Sequence, residues 1–409
     1  MAMRDDAAGT ALTAPVSRPG TSRGPLLGTA LLAVAVVLVA LNLRAAVTSA
    51  SSLLGDVRLG VGGSAAWASV LTTAPTLCFA VAGVAAPWLA RKVGLARAIG
   101  IALAVLVAGL LLRVLGGAGV MLGLTFVACA GIAVANVLVP VVVKESFPLR
   151  IGLMTGIYTA ALQGSGAIGS ALTPPLEGPL GGWRPVLALW GGVALVALLI
   201  WAVAARHGSP VASRDARRTS FRTVLHSRTA WAVMAFMGLQ SFLAYVVMGW
   251  LPQVYIGAGL DKGTAGLMLS IATLVPVPLS LVVPAIVARR RSQSGWIVVL
   301  TVPPMLGAIG LMLAPATLPW LWALLLGSGF AAFSVAMTLI ALRSRDPETA
   351  ATLSAFAQGA GYLIASFGPL LFGLLHDATG GWTVSLLLLL GALCGQLIAG
   401  SLAGRPRFV

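Results

Sequence analysis

The chain has 409 residues, 59% of them hydrophobic and 9% charged, with a mean hydropathy of +1.00. An average soluble domain is about a quarter charged, so this composition excludes a soluble domain and implies an integral membrane protein. The formal net charge of +16 would suit nucleic acid if the basic residues formed one stripe. They lie instead in short clusters between apolar runs, the pattern of topology signals.

Residues 1–25 carry Arg4, Asp5, Asp6, Arg18 and Arg23 among Pro, Gly, Ser and Thr and read as a disordered tail. The apolar run that follows resembles a signal-peptide core, but it continues through Asn42 and Arg44 to Leu54 and is read as a first span. Apolar stretches recur over 26–54, 65–90, 95–115, 119–143, 150–173 and 184–204, then over 229–256, 264–288, 295–315, 318–342, 350–375 and 382–403. Each matches the ~20 residues that a helix needs to cross a bilayer. The expected organisation is an N-terminal six-helix bundle over 26–204, a basic cytoplasmic linker over 205–228, a C-terminal six-helix bundle over 229–403 and a short tail over 404–409. The linker holds Arg206, Arg214, Arg217, Arg218, Arg222 and Arg228.

Twelve spans put both termini on one side. With the tails and even-numbered loops on that side, 21 basic residues fall there, against 4 opposite (Arg58, Arg113, Arg184 and Lys262), leaving Arg44 in the membrane. The bias predicts cytoplasmic termini for a multi-pass protein of the cell membrane. The halves also echo one another at a shift of 198 or 199 positions: Leu41-Asn42 with Leu239-Gln240, Ala90-Arg91-Lys92 with Ala288-Arg289-Arg290, Lys144 and Pro148 with Arg343 and Pro347, Gly182-Trp183 with Gly381-Trp382. Such repeats mark secondary transporters, whose site forms between the repeats near the membrane midplane.

The chain is similar over its whole length to the major facilitator superfamily, and more narrowly resembles the branch containing cyanate and 2-nitroimidazole transporters. The likeness is carried by Asn42-Leu43-Arg44, Leu71-Thr72-Thr73 with Pro75 and Cys78, Gly131-Ile132-Ala133 with Asn136, Gly152-Leu153-Met154-Thr155-Gly156 with Tyr158, and Gln240-Ser241 with Trp250-Leu251-Pro252. It implies an all-α integral membrane protein with twelve transmembrane helices in two pseudo-symmetric six-helix bundles, working by alternating access. One departure stands out: Arg91 occupies the position, three residues before Gly94, where the superfamily usually has an Asp. The usual charge relay at that cytoplasmic gate is therefore not expected.

Arg44 is the leading candidate for chemistry. It lies ten residues before the end of its run, about 15 Å at the helical rise, beyond what snorkelling covers. A charge at that depth costs roughly 2.5–3.5 kcal/mol, so it is expected to face a wet cavity or the bundle interior. No Asp or Glu lies within the spans to neutralise it, which points to an anionic cargo as its partner. The guanidinium fork suits a small planar anion; the alternative is that Arg44 binds carbonyls and locks helices.

Thr48 shares the Arg44 face at i+4. The remaining candidate substrate-binding residues are Asn136, Tyr158, Gln163, Gln240, Tyr245, Gln358 and Tyr362, while Asn42 is read as bracing a neighbouring helix. Arg113, near the outer end of its span, is read as snorkelling to the surface. Candidate gating residues are Arg91, Lys144, Glu145, Arg343 and Asp346, with Glu145 beside Lys144, and Asp346 with Glu348 near Arg343 and Arg345, expected to form cytoplasmic gate pairs. Of the prolines, Pro174-Pro175 is expected to end the fifth span and Pro303-Pro304 to interrupt the ninth.

Cys78, Cys129 and Cys394 lie apart in apolar runs and His207, His226 and His376 in presumed loops, so no metal, cofactor or disulfide is expected. A membrane enzyme would need a nucleophile with its base, paired carboxylates or a metal cluster in the spans, and a channel a ringed filter. Neither pattern occurs. The expected protein is a monomeric secondary active or facilitative transporter of a small anion or polar heterocycle, with multidrug or metabolite efflux as the alternative.

Overall fold

The computed structural model describes residues 26–207 and 221–409. The N-terminal tail and linker residues Arg214, Arg217 and Arg218 lie outside the described residues. The N-terminal half comprises α1 Leu26–Ser52, α2 Leu54–Val61, α3 Ala65–Val93, α4 Leu95–Leu112, α5 Ala118–Ser146, α6 Ile151–Leu176 and α7 Trp183–His207. The C-terminal half comprises α8 Phe221–His226, α9 Arg228–Gly257, α10 Lys262–Leu274, α11 Pro276–Ala288, α12 Ser294–Leu313, α13 Pro319–Ser328, α14 Ala332–Leu342, α15 Pro347–Thr379 and α16 Thr383–Ala403.

Eleven segments of the described chain are long and apolar enough to cross a bilayer, with α10 and α11 forming one and α13 and α14 another. The twelfth expected span is α6, 26 residues long, whose apolar character is diluted by Tyr158, Gln163, Ser165, Ser170 and Thr173. Those polar groups turn into the bundle, not towards lipid, and four of them are almost fully buried. The break between α10 and α11 falls at Val275, before Pro276, where the missing N–H and the proline ring interrupt the ladder. The prolines of the ninth span behave differently: α12 runs unbroken through Pro303 and Pro304, against the expected interruption. Neighbouring spans supply the packing that a proline-weakened ladder lacks.

Within the N-terminal half α1 packs on α6 and α7, and α4 on α5; within the C-terminal half α9 packs on α15 and α16, and α12 on α13 and α16. The halves meet along α3 with α15, α6 with α10, and α1 with α9. In a bilayer such contacts depend on close packing by small residues, because lipid is as apolar as leucine. A Cβ on Gly169 of α6 would stand 2.6 Å from Thr48 Oγ1 and 2.7 Å from Ala45 O of α1. A Cβ on Gly368 of α15 would stand 3.0 Å from Phe242 and 3.1 Å from Val246 of α9. The repeat read in the sequence is therefore also a repeat of contacts. Trp183 and Trp382 extend it, lying over Gly60 and Gly257 at corresponding ends of the two bundles.

We call the face at which α1 begins and α16 ends the terminal face, and the opposite one the distal face. At the terminal face Arg343 is buried. It donates to Ala403 O at 2.9 Å, to Gly404 O at 3.1 Å and to Gln293 Oε1, while Arg343 O accepts from the Val409 N–H at 2.9 Å. It clamps the end of the last span. Asp346 caps α15, accepting from Thr349 N at 2.8 Å and Thr349 Oγ1 at 2.9 Å. These bonds hold its carboxyl below the usual carboxylate range. The expected Arg343–Asp346 gate pair is thus replaced by two local structural tasks, because capping groups adjacent in sequence satisfy Asp346 first.

Candidate functional site

Arg44 lies about two thirds of the way along α1, where α6 passes it with a glycine. A Cβ on Gly166 would stand 3.5 Å from Arg44 Cβ and 3.6 Å from Thr273 of α10. Gly166 thus lies at the meeting of α1, α6 and α10, where the two halves touch. Arg44 Nη1 is buried and has no hydrogen-bond partner among the described residues. No carboxylate reaches it there either; the ion pairs linking spans are those of Lys262.

Three tyrosines lie within electrostatic range of Arg44: Tyr158 from α6, Tyr245 from α9 and Tyr362 from α15. Tyr158 and Tyr362 are buried and Tyr245 is partly buried, and they are three of the four tyrosines in the chain. Phe79 of α3 joins them: its ring lies 5.2 Å from Tyr362, stacked, and 6.2 Å from Tyr245, with Tyr245 and Tyr362 edge-on at 6.3 Å. Such centroid separations are those of mutually attractive aromatic pairs. The cluster thus draws on α1, α3 and α6 from one half and α9 and α15 from the other.

Tyr158 donates to Asn136 Oδ1 at 3.0 Å, tying α6 to α5. Gln163, one turn further along α6, is buried with Oε1 unpaired among the described residues. Gln358 is partly exposed and donates to Ser354 on its own helix at 2.9 Å. Of the sequence candidates, Arg44, Tyr158, Tyr245 and Tyr362 therefore come together, with Asn136 braced behind them.

Two candidates are placed elsewhere. Thr48 is fully buried at the α1–α6 contact and donates to Gly166 O at 2.9 Å, a helix-to-helix bond. Gln240 donates to Met237 O at 3.1 Å and to Ser241 Oγ at 2.6 Å on its own helix. Asn42, read as a brace, likewise turns back onto Leu38 O at 2.8 Å. Of the expected gating residues, Arg91 and Lys144 are exposed at the ends of α3 and α5. Glu145 is half-buried, its Oε2 without a hydrogen-bond partner among the described residues, so the Lys144–Glu145 pair is not formed. The distal face carries the charge contact that the sequence reading missed: Lys262 Nζ lies 2.6 Å from Asp56 Oδ1 and 3.4 Å from Glu177 Oε2, joining α10 to α2 and the end of α6.

Sequence reasoning also passed over Phe79 and misjudged Arg113. Arg113 does not snorkel: it is 2% exposed. The chain tightens into a 3-10 turn over Arg113–Leu115, and this residue lines a small cavity that Tyr245 also lines. No local sequence signal shows that α5 will fold over this turn.

Chemically, the cluster offers one guanidinium fork, phenolic hydroxyls and aromatic faces. It can hold a planar anion by charge-assisted hydrogen bonds or a flat polar ring by stacking. A polytopic helical bundle with a polar centre shared by its halves defines a membrane transporter, not an enzyme. The comparisons agree. The Major Facilitator Superfamily profile matches residues 26–369, and the chain belongs to that family. It is 35% identical over 91% of its length to an uncharacterised transporter, YycB, of Bacillus subtilis (strain 168), covering 93% of that protein. It is 33% identical over 91% of its length to the 2-nitroimidazole transporter of Escherichia coli (strain K12), covering 95% of it. The cyanate transport protein CynX of the same organism is 31% identical over 85% of the chain and 90% of the relative. Among solved structures, a bacterial homologue of the human lysosomal transporter Spinster superposes with a TM-score of 0.77 at 14% identity, over 94% of this chain and all of the other.

Proposed function

We propose that this protein carries a small anion or a flat polar heterocycle, of cyanate-like or nitroimidazole-like chemistry, across the cytoplasmic membrane by alternating access of its two bundles. The termini lie in the cytoplasm, as the charge bias of the loops indicates, so the distal face is the outer one. The observation that carries the reading is the Arg44 guanidinium at the junction of the halves, whose buried Nη1 has no hydrogen-bond partner among the described residues. A permanent carboxylate partner would hold it; a mobile anion can load and leave. The names of the two Escherichia coli relatives support the cargo class.

Arg44 anchors the cargo, Tyr158, Tyr245 and Tyr362 donate to it or stack on it, and Gln163 offers its free acceptor. Transport assays in proteoliposomes with labelled cyanate and 2-nitroimidazole test this. Arg44→Ala removes two charged hydrogen bonds of about 1.5–3 kcal/mol each, so saturable transport falls by at least about hundredfold while the protein still inserts. Arg44→Lys keeps the charge without the fork and retains part of the activity. Full transport by the alanine variant would remove Arg44 from the mechanism. The clustered Phe79, Tyr245 and Tyr362 rings favour a second reading, efflux of a bulkier aromatic solute; it predicts a broad substrate range that tolerates the loss of Arg44.

A further inference from the structure

Arg343 shows how a structural buried arginine is satisfied in this fold: two carbonyls and a side-chain amide take its protons. Arg113 is buried as deeply, yet its Nε and Nη2 have no acceptor among the described residues. The carbonyls beside it are already taken, for Arg184 donates to Val114 O and, at 3.4 Å, to Gly116 O. A buried cation left without counter-charge or acceptor is costly, so the fold maintains it against its own stability.

The small cavity that Arg113 lines is walled mainly by apolar side chains of α1 to α5 and α9. Its polar lining is Ser51, Thr72, Thr125, Cys129 and Tyr245. The first three hydroxyls spend their protons on their own helices: Ser51 on Val47 O at 3.1 Å, Thr72 on Ser69 O at 3.0 Å and Thr125 on Met121 O at 2.7 Å. Arg113 therefore supplies the cavity's unspent N–H donors and its positive charge. The chamber begins at Tyr245, a member of the Arg44 cluster, and extends along α1 from Ala46 to Ser51, about 8 Å at the helical rise.

We infer that Arg113 is the centre of a second anion-binding station, in which a small anion of a few heavy atoms is held by the guanidinium on the distal side of the Arg44 cluster. The inference rests on the proposed anion cargo and extends it: the passenger has two cationic stops joined by Tyr245. A low-dielectric chamber lined by one guanidinium selects anions over neutral solutes of the same size.

The test uses the full chain in proteoliposomes, with cyanate and nitrate as probes and Cys129 as a reporter in a Cys78→Ser, Cys394→Ser background. A small anionic methanethiosulfonate is expected to label Cys129 faster than its cationic counterpart, and cyanate to slow that labelling. Arg113→Met should abolish both effects and weaken the apparent affinity for cyanate offered from the distal side about tenfold, the loss of about one charged hydrogen bond. Arg113→Lys should restore the labelling preference. Because labelling is read in the otherwise native chain, it decides the matter even where Arg113→Met fails to fold. Labelling without anion preference, or no labelling by either reagent, overturns the second station. Protection by cyanate that persists in Arg44→Ala supports a separate site, and its loss there overturns one. Full transport by Arg44→Ala alongside anion-protected Cys129 would sink the Arg44 reading alone.

Discussion

Arg44 and Arg113 carry the same side chain, and only one was legible from its neighbours in sequence. A lone charge ten residues inside an apolar run has no route to water that avoids the bundle, so the depth of Arg44 follows from counting. Arg113 sits at a helix end three residues before Gly116-Gly117, where the surface is near by count alone. Its inward turn depends on the tightened 3-10 segment and on Arg184 occupying the adjacent carbonyls, which are tertiary facts. The same limit explains Thr48 and Gln240: their helical faces were readable, but not the nearer acceptors, Gly166 O and Met237 O, that hold them. For Tyr158 the residue type was right and its brace was not foreseeable. Tyr158→Phe should leave Asn136 without its donor and lower stability by about 1 kcal/mol, less once Asn136→Leu removes the orphaned acceptor. Thermal unfolding in detergent of the two single variants and the double variant measures this, and strict additivity would count against the bond.

Among the elements, α6 departs furthest from a plain apolar span and packs against α1 of its own half and α10 of the other. Its glycines admit α1, its Ser170 hydroxyl meets Ser270 of α10 at 2.9 Å, and its Tyr158 and Gln163 are buried. Gly169 is the tightest of these approaches to α1. Gly169→Ala should separate α1 from α6 and destabilise the protein by about 1–3 kcal/mol through overpacking. Gly192→Ala in α7, where an added methyl would meet nothing within 4 Å, should be neutral or stabilise by up to about 1 kcal/mol. A detergent melting series comparing the two checks the contrast. The order and approximate limits of the spans were readable because apolar runs of bilayer length leave little alternative. The continuity of α12 through two prolines was not, because what compensates a weakened ladder is its neighbours.

At the scale of the molecule, the halves are held at the distal face by Lys262 between Asp56 and Glu177. The lysine side chain is 45% exposed, and exposed pairs contribute about 0.2–1 kcal/mol each. Such a latch biases an equilibrium without locking it. Lys262→Met should shift the population towards a distally open form by a few-fold, seen as a longer distance component between spin labels at Leu59 and Leu267, both exposed. An unchanged distance distribution would show that packing of α6 on α10 closes this face by itself. The expected gate pairs lay at the terminal face. The charges that join the bundles lie at the other end, where the loops are poor in basic residues and the one lysine finds two carboxylates.

That placement makes the resting posture of the protein sensitive to salinity. At physiological ionic strength the screening length is about 8 Å, and it shrinks to about 3 Å in molar salt. On the proposed orientation the latch faces the external medium while the central guanidinium is shielded by the bundle. Brackish surroundings would therefore loosen the outer clasp before they weakened the grip on cargo, coupling the frequency of opening to the osmotic setting of the cell.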